Sequence, residues 1–105
     1  MRALLIALPL LLTATVAAKA SSDEAWAELN RTVTARCAKA SQLKSPQLSD
    51  PVQFDDTLGK VAVLVRGVFP QKAMKGARGS MLCIYDKASG KVWIDEAPGW
   101  SVSTK

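Results

Sequence analysis

The sequence predicts an α+β domain in which one N-terminal helix is disulfide-linked to a small antiparallel sheet of three to four strands, arranged as a meander. Three observations predict it. Apolar residues recur at steps of three and four between Trp26 and Ala40, β-branched apolar runs follow later in the chain, and the two cysteines fall one in each kind of segment.

The helix is expected over about 22–41. Ser21-Ser22-Asp23-Glu24 reads as a capping box, with the Ser21 hydroxyl accepting from the backbone of Glu24 while the Glu24 side chain reaches back. Trp26, Leu29, Val33, Cys37 and Ala40 then share one stripe, which places Trp26 in the core and turns Glu28, Arg31, Thr32 and Lys39 outward. Residues 42–59 shift to Ser, Pro, Asp and Gln. Pro46 and Pro51 forbid a continuing helix, so this stretch is a connector holding at most a short edge strand at Val52-Gln53-Phe54. Asp55-Asp56-Thr57-Leu58-Gly59 closes it as a turn, with Gly59 free to take a positive φ.

Strands are expected at about 61–69, 80–86 and 91–96. The first is β-branched and apolar on both faces. The second and third are joined by Asp86-Lys87-Ala88-Ser89-Gly90, whose Asp and Gly suit a hairpin built on a type I turn. Alternation along the second strand puts Met81, Cys83 and Tyr85 on the helix-facing side and Leu82 and Ile84 on the other, joined there by Leu64 and Val68. A single helix covers a single face. The reverse side is therefore an exposed apolar surface, which calls for a partner, a homodimer or closure into a barrel.

Residues 1–20 have the parts of a secretory signal peptide: Arg2, an apolar run from Ala3 to Leu12 broken by Pro9, and Ala18-Lys19-Ala20 before Ser21. The run is shorter than the ~20 residues a bilayer requires, so no membrane span is expected after cleavage. No cysteine stands at the cleavage point, which argues against a lipid-anchored form. The expected location is the periplasm or the cell exterior. Without Arg2 and Lys19, the 14 basic residues fall to 12 against 9 acidic, a net charge of +3 over one domain, 21–105. The basic residues are spread along the chain, and nucleic acid is not an expected partner.

A domain of this size has a small core and needs a staple. The Cys37 and Cys83 pair supplies one in an oxidising compartment, and closing a loop of about 47 residues stabilises by roughly 4 kcal/mol in the chain-entropy treatment. A redox or metal role for the pair has no support from Cys-x-x-Cys spacing or from histidine, of which the chain has 0. That absence also removes Ser-His-Asp chemistry. Of the carboxylates, Asp55 and Asp56 fall in a turn, Asp95 and Glu96 on opposite faces of a strand, and Glu24 and Glu28 at the helix N-terminus, so none pairs across a substrate bond. No enzyme activity, cofactor or metal is expected. Gly76 and Gly79 lead into strand-like sequence, where a phosphate loop would lead into a helix.

The most distinctive stretch is Pro70 to Gly79, a mobile basic loop carrying Lys72, Lys75 and Arg78 between two apolar strands. With Ser89 and the aromatic Trp93 it forms the expected contact set for an acidic groove on a protein partner. Ser89-Gly90-Lys91-Val92-Trp93 and Lys75-Gly76 resemble the Ser-Gly-x-x-Tyr segment and the end of the Tyr-x-x-x-Lys-Gly segment of the small proteobacterial envelope inhibitors of C-type lysozyme. The resemblance implies a small antiparallel barrel whose Ser and Lys reach the lysozyme's catalytic carboxylates. In this chain Trp93 replaces the Tyr, the two segments come in reversed order, and a helix precedes the sheet. Trp26 to Ala97 also looks like other secreted alphaproteobacterial chains with a Cys-bearing helix and a Leu-Cys-x-Tyr-Asp strand, a likeness that brings no activity with it. The residues thus predict a non-enzymatic exported protein-binding module, a lysozyme inhibitor in its concrete form, with a structural or accessory envelope protein as the alternative.

Overall fold

Ser22, not Ser21, caps the helix. The computed structural model describes residues 22–100, so Ser21, the expected signal segment before it and the tail after Trp100 lie outside the described residues. Helix α1 spans Asp23–Ser41; the Ser22 hydroxyl accepts from the Ala25 N–H at 3.0 Å, satisfying one of the orphan donors of the first turn. The cap is thus displaced by one residue from the expected box. At the other end Gln42 takes a left-handed conformation, φ 59°, and its N–H donates to the Lys39 carbonyl.

Five strands follow: β1 (Lys44–Leu48), β2 (Val52–Gln53), β3 (Lys60–Val68), β4 (Arg78–Asp86) and β5 (Val92–Glu96). All pairs are antiparallel, in the order β1-β3-β4-β5, with β2 also on β3. The helix-linked antiparallel sheet is as predicted, but it has five strands, and it is not a plain meander because β1 and β2 share one edge of β3. The connector thus supplies two strands where at most a short one was expected.

Prolines did not prevent this, for a local reason. Pro46 sits on an edge strand, where the missing N–H costs no ladder bond, and the β1–β3 register shifts between Lys44 and Gln47, with Ser45 at φ 49°. Between β1 and β2 Ser49 takes over the pairing: its backbone N–H donates to the Leu64 carbonyl and its hydroxyl accepts from the Leu64 N–H, both at 2.9 Å.

The covered face holds the core. Val61, Val63 and Val65 of β3 stand opposite Tyr85, Cys83 and Met81 of β4, and α1 packs Val33 and Cys37 onto them. Val33, Val61, Val63 and Val65 are fully buried, each stabilising by about 1.5–3 kcal/mol. At its centre Cys37 and Cys83 are bonded, Cα atoms 5.8 Å apart, so helix and sheet are one covalent unit. Arg36 extends the docking, donating to the Gly90 carbonyl at 2.8 Å with its guanidinium 6.0 Å from the Tyr85 ring.

Trp26 departs from expectation. It is 38% exposed, with the Lys87 ammonium 5.6 Å from its ring, because the buried part of the stripe begins a turn later at Leu29 and Val33. Gly67 and Gly79, paired across β3 and β4, are needed for close approach. A Cβ on Gly67 would lie 2.8 Å from Leu43 Cβ, and one on Gly79 would overlap the Phe69 ring.

Candidate functional site

The basic stretch between β3 and β4 is a closed turn. Phe69 N–H donates to the Ala77 carbonyl at 2.9 Å, a single 3-10 turn occupies Lys72–Met74, and Lys75 and Gly76 reverse the chain with φ 49° and 75°. Arg78 and Gly79 belong to β4, paired with Val68 and Gly67, so the loop is shorter than predicted. Its backbone is held by hydrogen bonds where a mobile segment was expected. The turn presents Lys72 and Lys75 to solvent, and Arg78 stands exposed at its base.

Ser89 is at the other end of the sheet. β4 has nine residues and spans roughly 25–30 Å, with Arg78 starting it and the Asp86–Gly90 hairpin following it. Lys75 and Ser89 therefore do not share a rim. The Ser89 hydroxyl is already committed: it donates to the Asp86 carboxylate at 2.7 Å and accepts from the Lys91 N–H at 3.1 Å, and with Gly90 at φ 77° it shapes the turn. That donation, followed by the Lys60 ammonium at 3.1 Å, holds the Asp86 carboxyl below its usual range. Asp55 is lowered in the same way, first by the Thr57 hydroxyl and then by the Leu58 N–H.

Charges are segregated between the two ends. Among the described residues the ion pairs are Arg31–Glu28 on the helix, Lys60–Asp86 and Lys87–Asp56. The latter two lie at the hairpin end of β4. At the other end Arg66, Lys72, Lys75 and Arg78 form no ion pair, and Glu96 is the carboxylate nearby.

Trp93 is on the reverse face, opposite Ile84, half-exposed and flanked by the Lys60 and Lys91 ammoniums at 5.8 and 5.4 Å from its ring. That face also carries Leu64 opposite Leu82 and Ala62 opposite Ile84. A groove of ≈ 320 Å³ runs over it, lined by Val52, Phe54, Leu64, Leu82, Ile84 and Trp100 among others. Trp100 arrives by a turn through Pro98 and Gly99: its N–H donates to the Ala97 carbonyl, and its own carbonyl accepts the Ser80 hydroxyl at 2.9 Å. Trp100 also lines a second cavity of ≈ 370 Å³ beside Arg66, Arg78, Ser80 and Glu96.

Two residues of this surface were not singled out as contacts from the sequence, Arg66 and Phe54. Arg66 had a readable signal, as the one charge within the apolar run from Val61 to Phe69. Phe54 had none, since only pairing of β2 with β3 brings it over the reverse face.

Comparison with protein-family models, with curated proteins and with solved structures gives no match in any of the three. Among the described residues no helix is long and apolar enough to cross a membrane.

Proposed function

We propose that this chain is a non-enzymatic, exported protein-binding module that meets an acidic partner surface with the β3–β4 end of its sheet. The observation carrying this reading is the charge segregation: among the described residues Lys72, Lys75 and Arg78 have no acidic partner, whereas Lys60 and Lys87 at the opposite end do. The backbone carrying these cations is already held by a hydrogen-bonded turn, so the ordering cost of binding falls on the side chains alone. A carboxylate entering between them would gain charge-assisted hydrogen bonds.

Inhibition of a C-type lysozyme is the concrete form of the proposal. A glycosidase cleft carries two carboxyl groups across the scissile bond, and Lys75 or Arg78 at the turn would neutralise them. Ser89 has no part in that contact, since it lies at the far end of β4. The disulfide-bonded protein, added in large molar excess to a lysozyme turbidity assay, should slow clearing, and the triple variant K72Q/K75Q/R78Q should not. Unchanged clearing with the unaltered protein would end the lysozyme form of the idea.

The reverse face favours a second reading, an accessory envelope protein whose sheet is covered by another molecule. Val52 is 54% exposed, Phe54 42% and Trp100 56%, all around one apolar groove. Binding of a hydrophobic dye to this face, lost in V52S/F54S, is the expected sign; a face that takes up no dye in a monomer would argue against it.

A further inference from the structure

The two cavities on either side of Trp100 differ in chemistry. One is the apolar groove over Leu64, Leu82 and Ile84. The other holds two guanidiniums: Arg66 stands opposite Ser80 and Arg78 opposite Val68, so they are diagonal neighbours on the same reverse face. Like charges so placed repel, and neither is ion-paired among the described residues. The Arg66 Nε is moreover buried with no hydrogen-bond partner among the described residues. An anion between the arginines would relieve both penalties. Glu96, which also lines the cavity, opposes it with one negative charge against two positive.

We propose that this face binds a single-chain anionic amphiphile, with its charged head on Arg66 and Arg78 and its apolar chain along Leu64, Leu82 and Ile84 beside Trp100. The inference rests on the reverse face being a contact surface; it shares Arg78 with the basic turn but needs neither Lys72 nor Lys75. Charge complementarity selects an anionic head. The apolar lining, Val52, Phe54, Leu64, Leu82, Ile84 and Trp100 among others, selects a hydrocarbon chain. Backbone chemistry disfavours an extended peptide laid on this face. The β3–β4 ladder is complete from Lys60–Asp86 to Val68–Arg78, so a peptide's N–H and C=O groups would be desolvated against side chains without partners. A hydrocarbon chain has no such groups.

The test titrates the disulfide-bonded protein, carrying W26F/W93F so that Trp100 reports alone, with dodecyl phosphate below its micelle concentration. Dodecyl maltoside and inorganic phosphate serve as parallel probes. Saturable one-to-one binding with a blue shift of Trp100 emission is expected, about tenfold or more weaker for the maltoside and for R66Q/R78Q, as loss of hydrogen bonds to a charged group requires. The variant F54S should weaken dodecyl phosphate without creating affinity for phosphate alone. Equal binding of both amphiphiles, insensitivity to R66Q/R78Q, or phosphate binding as tightly as its dodecyl ester would each overturn the proposal. A dimer in sedimentation that excludes the probe would also overturn it, while leaving the face a contact surface; a monomer that takes up neither probe nor dye would remove the contact surface as well.

Discussion

The two faces of the sheet are built from the same strands with similar apolar residues, yet they differ in what finishes them. On one face Val61, Val63 and Val65 are sealed by α1 and locked by the Cys37–Cys83 bond. On the other, Ala62, Leu64, Leu82 and Ile84 are met by Val52, Phe54 and Trp100, all three substantially exposed themselves. The difference separates apolar residues that hold the fold from those left for something else. Apolar area is worth the same per Å² wherever it is buried, so a face left partly wet forgoes stability that a partner would recover.

Breaking the covered face should have the largest effect. Replacing both cysteines, C37A/C83A, removes a cross-link between residues 46 apart and should lower the unfolding free energy by about 4 kcal/mol. Urea denaturation of the oxidised protein and the double variant measures it, and a difference below ~1 kcal/mol would mean that helix and sheet hold together without the bond.

Gly67→Ala tests how tightly that side is packed. The added methyl meets Leu43 Cβ and the Lys44 carbonyl at 2.8 Å, so β1 must shift, at a cost of about 1–3 kcal/mol. A neutral result in thermal unfolding would show that the edge strand gives way freely.

Ser89→Ala addresses the hairpin end. Its folded-state effect falls on Asp86, whose carboxyl should rise toward the ordinary range once the leading hydrogen bond is gone. A folded-state pKa below the unfolded one contributes stability at neutral pH, and that stability is lost as pH falls through the folded value. The variant should therefore be less stable at neutral pH and lose less stability on acidification than the unaltered protein, because less of the Asp86 contribution is left to lose. Carboxyl titration by NMR reads the shift directly, and an Asp86 that titrates identically in both proteins contradicts the assigned role.

The smallest effect is expected on the reverse face. V52S removes a side chain about half in water, and its loss of stability should stay below about 1 kcal/mol, under half of what full burial of a side chain brings. A loss as large as that of Gly67→Ala would assign the groove to the core and erase the contrast between the faces.

Much of this was legible from local chemistry. Val33 and Cys37 at helical spacing, the alternation through Met81, Cys83 and Tyr85, and the Asp86 to Gly90 hairpin each depend on near neighbours along the chain. The misreadings came where distant residues decide. Pro46 reads as a breaker until β3 offers an edge on which its missing donor does not matter. Trp26 reads as core by periodicity, but in the fold its ring is met by the Lys87 ammonium while the core takes Leu29 and Val33 from α1.

By itself the sequence determined the helix, strands β3, β4 and β5 and which cysteine belongs to which layer, because periodicity and turn residues act over a few residues. Only the tertiary structure decided that Lys75 and Ser89 stand at opposite ends of β4, and that Arg66, Arg78 and Trp100 meet on one face. Those are consequences of strand direction and register, which put residues far apart in sequence side by side and send near neighbours to opposite ends.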